Sequence, residues 1–178
     1  MLPPAICLNL FDELSDARDI ESAMRHIDAF RRLLVGPGVF SINLNVTTAD
    51  DPPNEVQLQR LYSSNGGKFP VSGRKRKLLT HWTRTLFGEG RVVISEGSEV
   101  LAELFDDYDQ MAPLGLNAAI NVPMLQGNRC IATFNVFGMR GRWREHEVLA
   151  VRMLASLAAR WVMPAPDLHY TLDATSRP

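Results

Sequence analysis

Apolar residues Ile20, Met24, Ile27, Phe30, Leu33 and Leu34 recur at helical spacing. This predicts a helix capped by Ser15 or Asp16 and stopped by Gly36-Pro37-Gly38. The period then changes to two. From Val39 to Thr47, Phe40, Ile42, Leu44 and Val46 alternate with Ser41, Asn43 and Asn45, the pattern of a strand with one apolar and one polar face. A loop from Thr48 to Asn54, rich in Asp and Pro, leads to a second strand from Val56 to Ser64, closed by Asn65-Gly66-Gly67. The segment from Lys68 to Pro113 predicts a helix over Lys75 to Phe87, a short strand at Arg91 to Ile94 and a helix near Val100 to Phe105. With no long strand of its own, it reads as a lid over the polar sheet face. The last helix, Glu145 to Met163, is apolar almost all round, with Arg152, Ser156 and Arg160 as its polar stripe, so it needs a second surface besides a sheet. Residues 164–178, which open with Pro164 and Pro166, predict a disordered tail.

The stretch from Leu114 to Gly138 reads as a hairpin turning at Gly127-Asn128. A two-residue loop there would set Asn121 against Phe134 and Ile120 against Asn135. A three-residue loop, Gln126 to Asn128, separates polar from apolar. It sets Ile120 against Phe134, Val122 against Ala132 and Met124 against Cys130, with Asn121 beside Thr133 and Ala119 beside Asn135. Because a slip of one residue exchanges the faces, the separated register is the expected one.

Leu114-Gly115-Leu116, Ile120-Asn121-Val122-Pro123, Gly127, Ile131-Ala132-Thr133-Phe134-Asn135 and the acidic-flanked helix from Glu145 follow one another in an order and spacing that resembles the GAF domain, a small-molecule sensor module. The resemblance implies an α+β fold: a central antiparallel sheet, N- and C-terminal helices on one face, and a ligand pocket under connecting segments on the other. Residues 1–14 are then an N-terminal extension, 15–163 the GAF-like domain and 164–178 the tail.

At 178 residues the chain is long enough for one domain that buries roughly 70% of its unfolded surface. Lys and Arg number 19 against 20 Asp and Glu, with both signs spread along the chain, so neither nucleic acid nor an anionic membrane is indicated as a partner. The two cysteines, Cys7 and Cys130, lack metal-ligand spacing and a disulfide framework, and read as buried thiols in a reducing compartment. The N-terminus has no basic start and too short an apolar run for a signal peptide or membrane span, which predicts a cytoplasmic protein. The sequon Asn45-Val46-Thr47 then has no consequence.

Asn43, Asn45, Asn121, Thr133 and Asn135 recur on one face of three strands, and groups that both donate and accept suit a polar ligand held by several hydrogen bonds. A solvent-facing sheet surface would look the same. In the basic run Ser72 to Lys77, Arg74 and Lys75 stand at the predicted start of a helix, where cations oppose the helix dipole. A bound anion would reverse that sign; a solvated basic loop is the plain alternative. Trp82 reads as core, and Tyr62 as either core or a surface for stacking on a ligand ring. The four histidines show no ligand spacing, which argues against a metal, and Asp106-Asp107-Tyr108-Asp109 reads as a charged, exposed turn without the Gly and distal Glu of a calcium loop. No cofactor is implied.

Nucleophile elbows, phosphate-binding glycine loops and zinc-protease helices are all missing from the sequence. Free methionine-R-sulfoxide reductase, an enzymatic branch of the GAF family, is similar in hairpin and helix. It carries reactive cysteines before the hairpin and acidic residues on its pocket strands. Here no cysteine lies between Cys7 and Cys130, and the matching pocket positions are Ala119, Asn135 and Phe137. The expectation is therefore a stand-alone, non-enzymatic GAF protein that binds a small polar or anionic metabolite between the sheet and residues 68–117 and forms a homodimer through its terminal helices. The candidate ligand residues are Asn43, Asn45, Tyr62, Arg74, Lys75, Asn121, Thr133 and Asn135. The alternatives are a thiol enzyme using Cys130 and a dimerisation module with a vestigial pocket.

Overall fold

The computed structural model describes residues 4–71 and 74–172, with side chains from residue 8 onward. Two helices open the chain, α1 (Pro4–Asp16) and α2 (Ile20–Val35). The extension expected over residues 1–14 is thus largely α1, while the side chain of Cys7 lies outside the described residues. Asp19 caps α2, not Ser15 or Asp16, by accepting from the Ser22 amide at 2.7 Å while Ser22 Oγ accepts from the Asp19 amide. The bond from the Ser22 amide, above all, holds the Asp19 carboxyl below its ordinary range.

A six-stranded antiparallel sheet follows in the order β3-β2-β1-β6-β5-β4, built from β1 (Gly38–Asn45), β2 (Glu55–Ser63), β3 (Arg74–Leu78), β4 (Val93–Glu96), β5 (Ala118–Gln126) and β6 (Arg129–Gly138). Helix α2 and the C-terminal helix α6 (Glu145–Ala158) cover one face, as the α+β reading expects. On that side Phe40, Ile42, Ile120, Val122, Phe134 and Val136 pack with Ala23, Met24, Ile27, Val151, Leu154 and Ala158. The other face is covered by α3 (His81–Thr83), a π turn (Arg84–Gly88), α4 (Ser98–Leu104) and α5 (Tyr108–Met111), whose Trp82, Leu86, Leu101, Phe105 and Met111 form a second core with Val39, Leu58, Ala119 and Phe137. Gly38 and Gly138 face each other where β1 enters the sheet; a Cβ on Gly38 would stand 2.0 Å from the Phe137 carbonyl oxygen, so no side chain fits there.

The hairpin register differs from the expected one. The turn is the two-residue Gly127-Asn128, and an extra residue, Ile131, bulges between the Leu125–Cys130 and Met124–Ala132 pairs. The bulge repairs the polarity conflict that a plain two-residue loop would create. It sets Asn121 against Asn135, Val122 against Phe134 and Ile120 against Val136.

A second difference lies in the basic run, which forms edge strand β3 and not the start of a helix. Leu58 pairs with Lys75 and Gln57 with Arg76, so successive cations alternate between the two faces. A charged strand suits a sheet edge, because repulsion discourages pairing with another chain. Helix begins only at His81, where Thr80 and Thr83 cap one another. Finally, residues 164–172 do not hang free as the tail reading expected: the His169 amide donates to Thr47 O at 2.8 Å, and the Tyr170 hydroxyl accepts from the Cys130 amide at 2.8 Å and donates to Phe87 O at 3.1 Å. Residues 173–178 of the expected tail lie outside the described residues.

Candidate functional site

Between the polar sheet face and the 68–117 segment lies a chamber of about 40 Å³, enough for two or three waters. It shares Asn43, Leu58, Arg60, Phe69, Lys75 and Asp107 with an outer vestibule of about 310 Å³. Phe69, Trp82, Phe105 and Phe137 wall the chamber, with Phe105 edge-on to both Trp82 and Phe137 at ring separations of 6.3 and 5.2 Å. Ser41, Asn121 and Asn135 form the floor.

The strand pairing places Ser41, Asn135 and Asn121 in one row across β1, β6 and β5, with Asn43 and Thr133 in the next. Four of the five expected polar-face residues therefore meet in these two rows. Their hydrogen bonds are largely spent on one another. Asn121 Oδ1 accepts from Trp82 Nε1 at 3.0 Å, Asn121 Nδ2 donates to Asn135 Oδ1 at 2.8 Å, and Asn135 Nδ2 donates to Thr133 O at 3.1 Å. Trp82 is thus both core and chamber wall, fixed by the amide beneath it. Asn45 does not line the chamber; its amide donates to Cys130 O and its oxygen accepts from Thr47, closing the strand end. Thr133 is fully buried, and its Oγ1 lacks a partner among the described residues.

Tyr62 leaves the site altogether. By strand parity it would share the lid face with Leu58 and Arg60, but the register shifts between the Ile42–Tyr62 and Asn43–Arg60 pairs, and the skipped Leu61 turns Tyr62 into the helix layer. There it packs on Phe40 at 5.3 Å. The bulge at Ile131 has the opposite effect on Cys130, which belongs to the lid-side core and not to the apolar helix face where the expected register put it.

The cations are placed by ion pairs, not by a helix end. Arg74 bonds Asp51 at 2.6 Å on the vestibule rim, and the bonds that Asp51 accepts from Thr48 and Arg74 hold its carboxyl below the ordinary range. Lys75 Nζ bonds Asp107 Oδ2 at 2.9 Å, and Lys77 bonds Asp106 at 2.7 Å. The segment read as an exposed turn thus clasps the edge strand. Arg60, which no periodicity singled out, is a partly buried cation of the site: Nη1 donates to Pro70 O at 3.2 Å, Nη2 stands 3.7 Å from Asp107 Oδ2, and the guanidinium lies over Phe69. Burial pushes its pKa down despite Asp107. Asn43 Oδ1, Arg60 Nε and Asp107 Oδ1 are buried at the chamber without hydrogen-bond partners among the described residues. A charged residue inside an otherwise alternating strand was the available signal for Arg60.

Cys130 carries none of the marks of a reactive thiol. It does not line the chamber, its Sγ contacts Ala132 O at 3.2 Å, and burial pushes the thiol up to about 12. Burial, reinforced by Asp28, likewise pushes the Tyr62 phenol up to about 12. Both shifts favour the protonated form in the folded state. The stability they protect is complete below the unfolded values of 9.0 and 10.0 and is lost as pH rises from there toward 12. Urea midpoints are therefore expected to hold between pH 7 and 8.5 and to fall by pH 11. In a Cys7→Ser background the remaining thiol should react with a thiol reagent at pH 8 only after unfolding; fast labelling of the native protein would contradict its burial.

Among the described residues no helix is long and apolar enough to cross a membrane, and no group of three His, Cys, Asp or Glu is placed to hold a metal. The family profile described as the GAF domain matches residues 34–160. No curated protein matches the chain. Among solved structures, the GAF domain of a phosphoenolpyruvate-protein phosphotransferase from Coxiella burnetii superposes with a TM-score of 0.62 at 15% identity, over 88% of this chain and 90% of that one. The cyanobacteriochrome TePixJ GAF domain matches with a TM-score of 0.57 at 21% identity, over 83% and 91%. The chromophore-binding domain of bacteriophytochrome RpBphP3 from R. palustris matches with a TM-score of 0.57 at 11% identity, over 88% of this chain, which spans only 58% of that one. At these identities the likeness is one of fold.

Proposed function

Since the chain belongs to the GAF domain family, whose members are generally small-molecule binding and sensing modules, we propose that it binds a small polar or anionic metabolite between the sheet and the 68–117 segment and acts as a sensor. The observation that carries the reading is the set of unpartnered polar atoms, Asn43 Oδ1, Arg60 Nε and Asp107 Oδ1, buried against aromatic walls. Buried polar atoms without partners cost about 1–3 kcal/mol each, and a ligand that supplies the partners recovers it. The vestibule holds Arg60, Lys68, Arg74 and Lys75; Asp51 engages Arg74 and Asp107 engages Lys75, which leaves Arg60 and Lys68 as a positive excess that favours an anionic group. A metabolite panel in a thermal-melt assay tests the reading. A ligand at 100 times its dissociation constant adds about 2.7 kcal/mol, a rise on the order of 5–10 °C for a chain of this length; no shift across the panel would sink it. The thiol-enzyme alternative gains nothing from a buried thiol outside the chamber.

The same proposal includes a homodimer through the terminal helices. Leu8 and Phe11 on α1, Leu33 on α2, and Leu149 and Met153 on α6 are exposed on the helical layer, with Met153 at 61%. Val151, Leu154 and Ala158 belong to the chain's own core, so a charge there should unfold the protein and not merely divide a dimer. Leu149→Asp with Met153→Asp is expected to give a folded monomer by light scattering; a wild type already monomeric at micromolar concentration would refute the interface. The free thiol of Cys130 supports the further proposal of a cytoplasmic, reducing setting. The basic run supports no nucleic-acid role, since Arg74, Lys75, Arg76 and Lys77 are engaged by Asp51, Asp107, Glu55 and Asp106.

A further inference from the structure

We propose that Asp107 is the built-in occupant of an anion site formed by Arg60 and Lys75, and that a ligand carboxylate or phosphate enters by displacing it, which frees the segment from α4 to α5. This deepens the sensor reading above and rests on it.

Three observations carry the proposal. First, the internal pair is poorly matched. Asp107 meets both cations through Oδ2 alone, at 2.9 Å from Lys75 Nζ and 3.7 Å from Arg60 Nη2. Its Oδ1 and Arg60 Nε stay buried without partners among the described residues. A free carboxylate or phosphate, not tethered to a backbone, can take Nε and Nη2 of the guanidinium side by side and reach Lys75 with another oxygen. Second, the cations have anchors besides Asp107, side-chain contacts for Arg60 and the backbone for Lys75. Arg60 is held by Pro70 O and the Phe69 ring, and Lys75 sits on β3, in register with Leu58 of β2. The guanidinium keeps these contacts when the carboxylate leaves, and the strand keeps Lys75 beside it.

Third, the chamber is too small as it stands. At about 40 Å³ it admits only waters, whereas metabolite pockets run to roughly 300 Å³ and above. A ligand that reaches inward from the vestibule of about 310 Å³ must move something, and the lid is attached to the sheet edge at two adjacent residues, Asp106 on Lys77 and Asp107 on Lys75, beside Phe105 packed on Trp82. Asp106 is a surface link, its side chain 76% exposed. Asp107 is the inner one, at 16%. Replacing Asp107 with a ligand anion keeps the cations neutralised while releasing the inner of the two links, so ligand charge is converted into a change of lid position.

Inorganic phosphate is the probe, titrated at constant ionic strength by phosphorus NMR and by thermal melts on the full chain. Asp107→Asn is expected to bind phosphate at least tenfold more tightly than wild type, because the internal competitor is gone. Asp106→Asn makes the same charge change at the surface link, where it frees Lys77 and not the Arg60–Lys75 pair, and should raise affinity far less. Arg60→Gln added to Asp107→Asn should abolish the gain. Equal affinities in the two Asn variants would overturn the proposal. Should Asp107→Asn fail to fold, amide hydrogen exchange of residues 104–111 in the wild type decides: saturating phosphate should speed it, and unchanged or slower exchange would overturn the proposal. Phosphate needs only the ion site, so a metabolite panel without a hit would count against the sensor reading and leave this result legible. A neutral ligand bound equally by wild type and Asp107→Asn would keep the sensor and end the displacement.

Discussion

Arg31→Met is expected to destabilise the protein by about 3–5 kcal/mol, the range for removing one partner of a buried ion pair. Arg31 is fully buried, and it donates to Asp28 Oδ1 through Nε at 3.0 Å and Nη2 at 2.7 Å and to Gly36 O through Nη1 at 2.8 Å. It therefore ties the last turns of α2 to the link that enters β1. Met fills much of the volume but leaves a carbonyl and part of a carboxylate unpaired. Urea titration should show the loss as a lower midpoint, with melting lowered on the order of 10 °C. Arg32→Met is the control: it also bonds Asp28, at 3.0 Å, but its side chain is 56% exposed, so its loss should cost under about 1 kcal/mol. Asp28→Leu added to Arg31→Met should recover part of the loss. If the two Arg variants melt together, the staple is not what holds this corner.

Asn121→Leu is expected to cost about 2–6 kcal/mol. It strands the Trp82 indole N–H and Asn135 Oδ1, both buried, at roughly 1–3 kcal/mol each. The cost should be coupled to Trp82. Trp82→Phe made alongside it removes the stranded donor, so the double variant should be less destabilised than the two single losses added together. Strict additivity would show that the indole–amide bond holds neither lid nor sheet. Because the amides satisfy one another, Asn121→Leu should weaken ligand binding through a displaced Trp82 wall.

Much of the architecture was legible in the chain. Helical spacing located α2 and α6, alternation located β1, β2 and both arms of the hairpin, and their order pointed to the GAF family, which the match over residues 34–160 shows. The apolar face of β1 was read correctly, and a lid does cover the other face, although β3 and β4 of the segment read as lid joined the sheet. The readings that failed share a cause. Alternation assigns faces by counting in twos, so one bulged residue inverts every assignment beyond it. Leu61 removed Tyr62 from the site, and Ile131 brought Cys130 to the lid side. The basic run was misread for a different reason: Leu78, Leu79, Trp82 and Leu86 do fall at helical spacing, but Arg74 to Leu78 extend along β2, with acids waiting on both sides.

The sequence by itself determined the elements, their order, the two-faced sheet and the family, because periodicity and turn chemistry act over a few neighbouring residues. Only the tertiary structure decided which side chains make the site. Arg60 meets Asp107, Lys75 meets the same carboxylate from 32 residues away, and Trp82 meets Asn121 from 39. Such pairs are set by where bulges turn a strand and where the lid crosses the sheet edge. Coulomb attraction and hydrogen bonding act through space, and distance along the chain leaves no periodic trace of them.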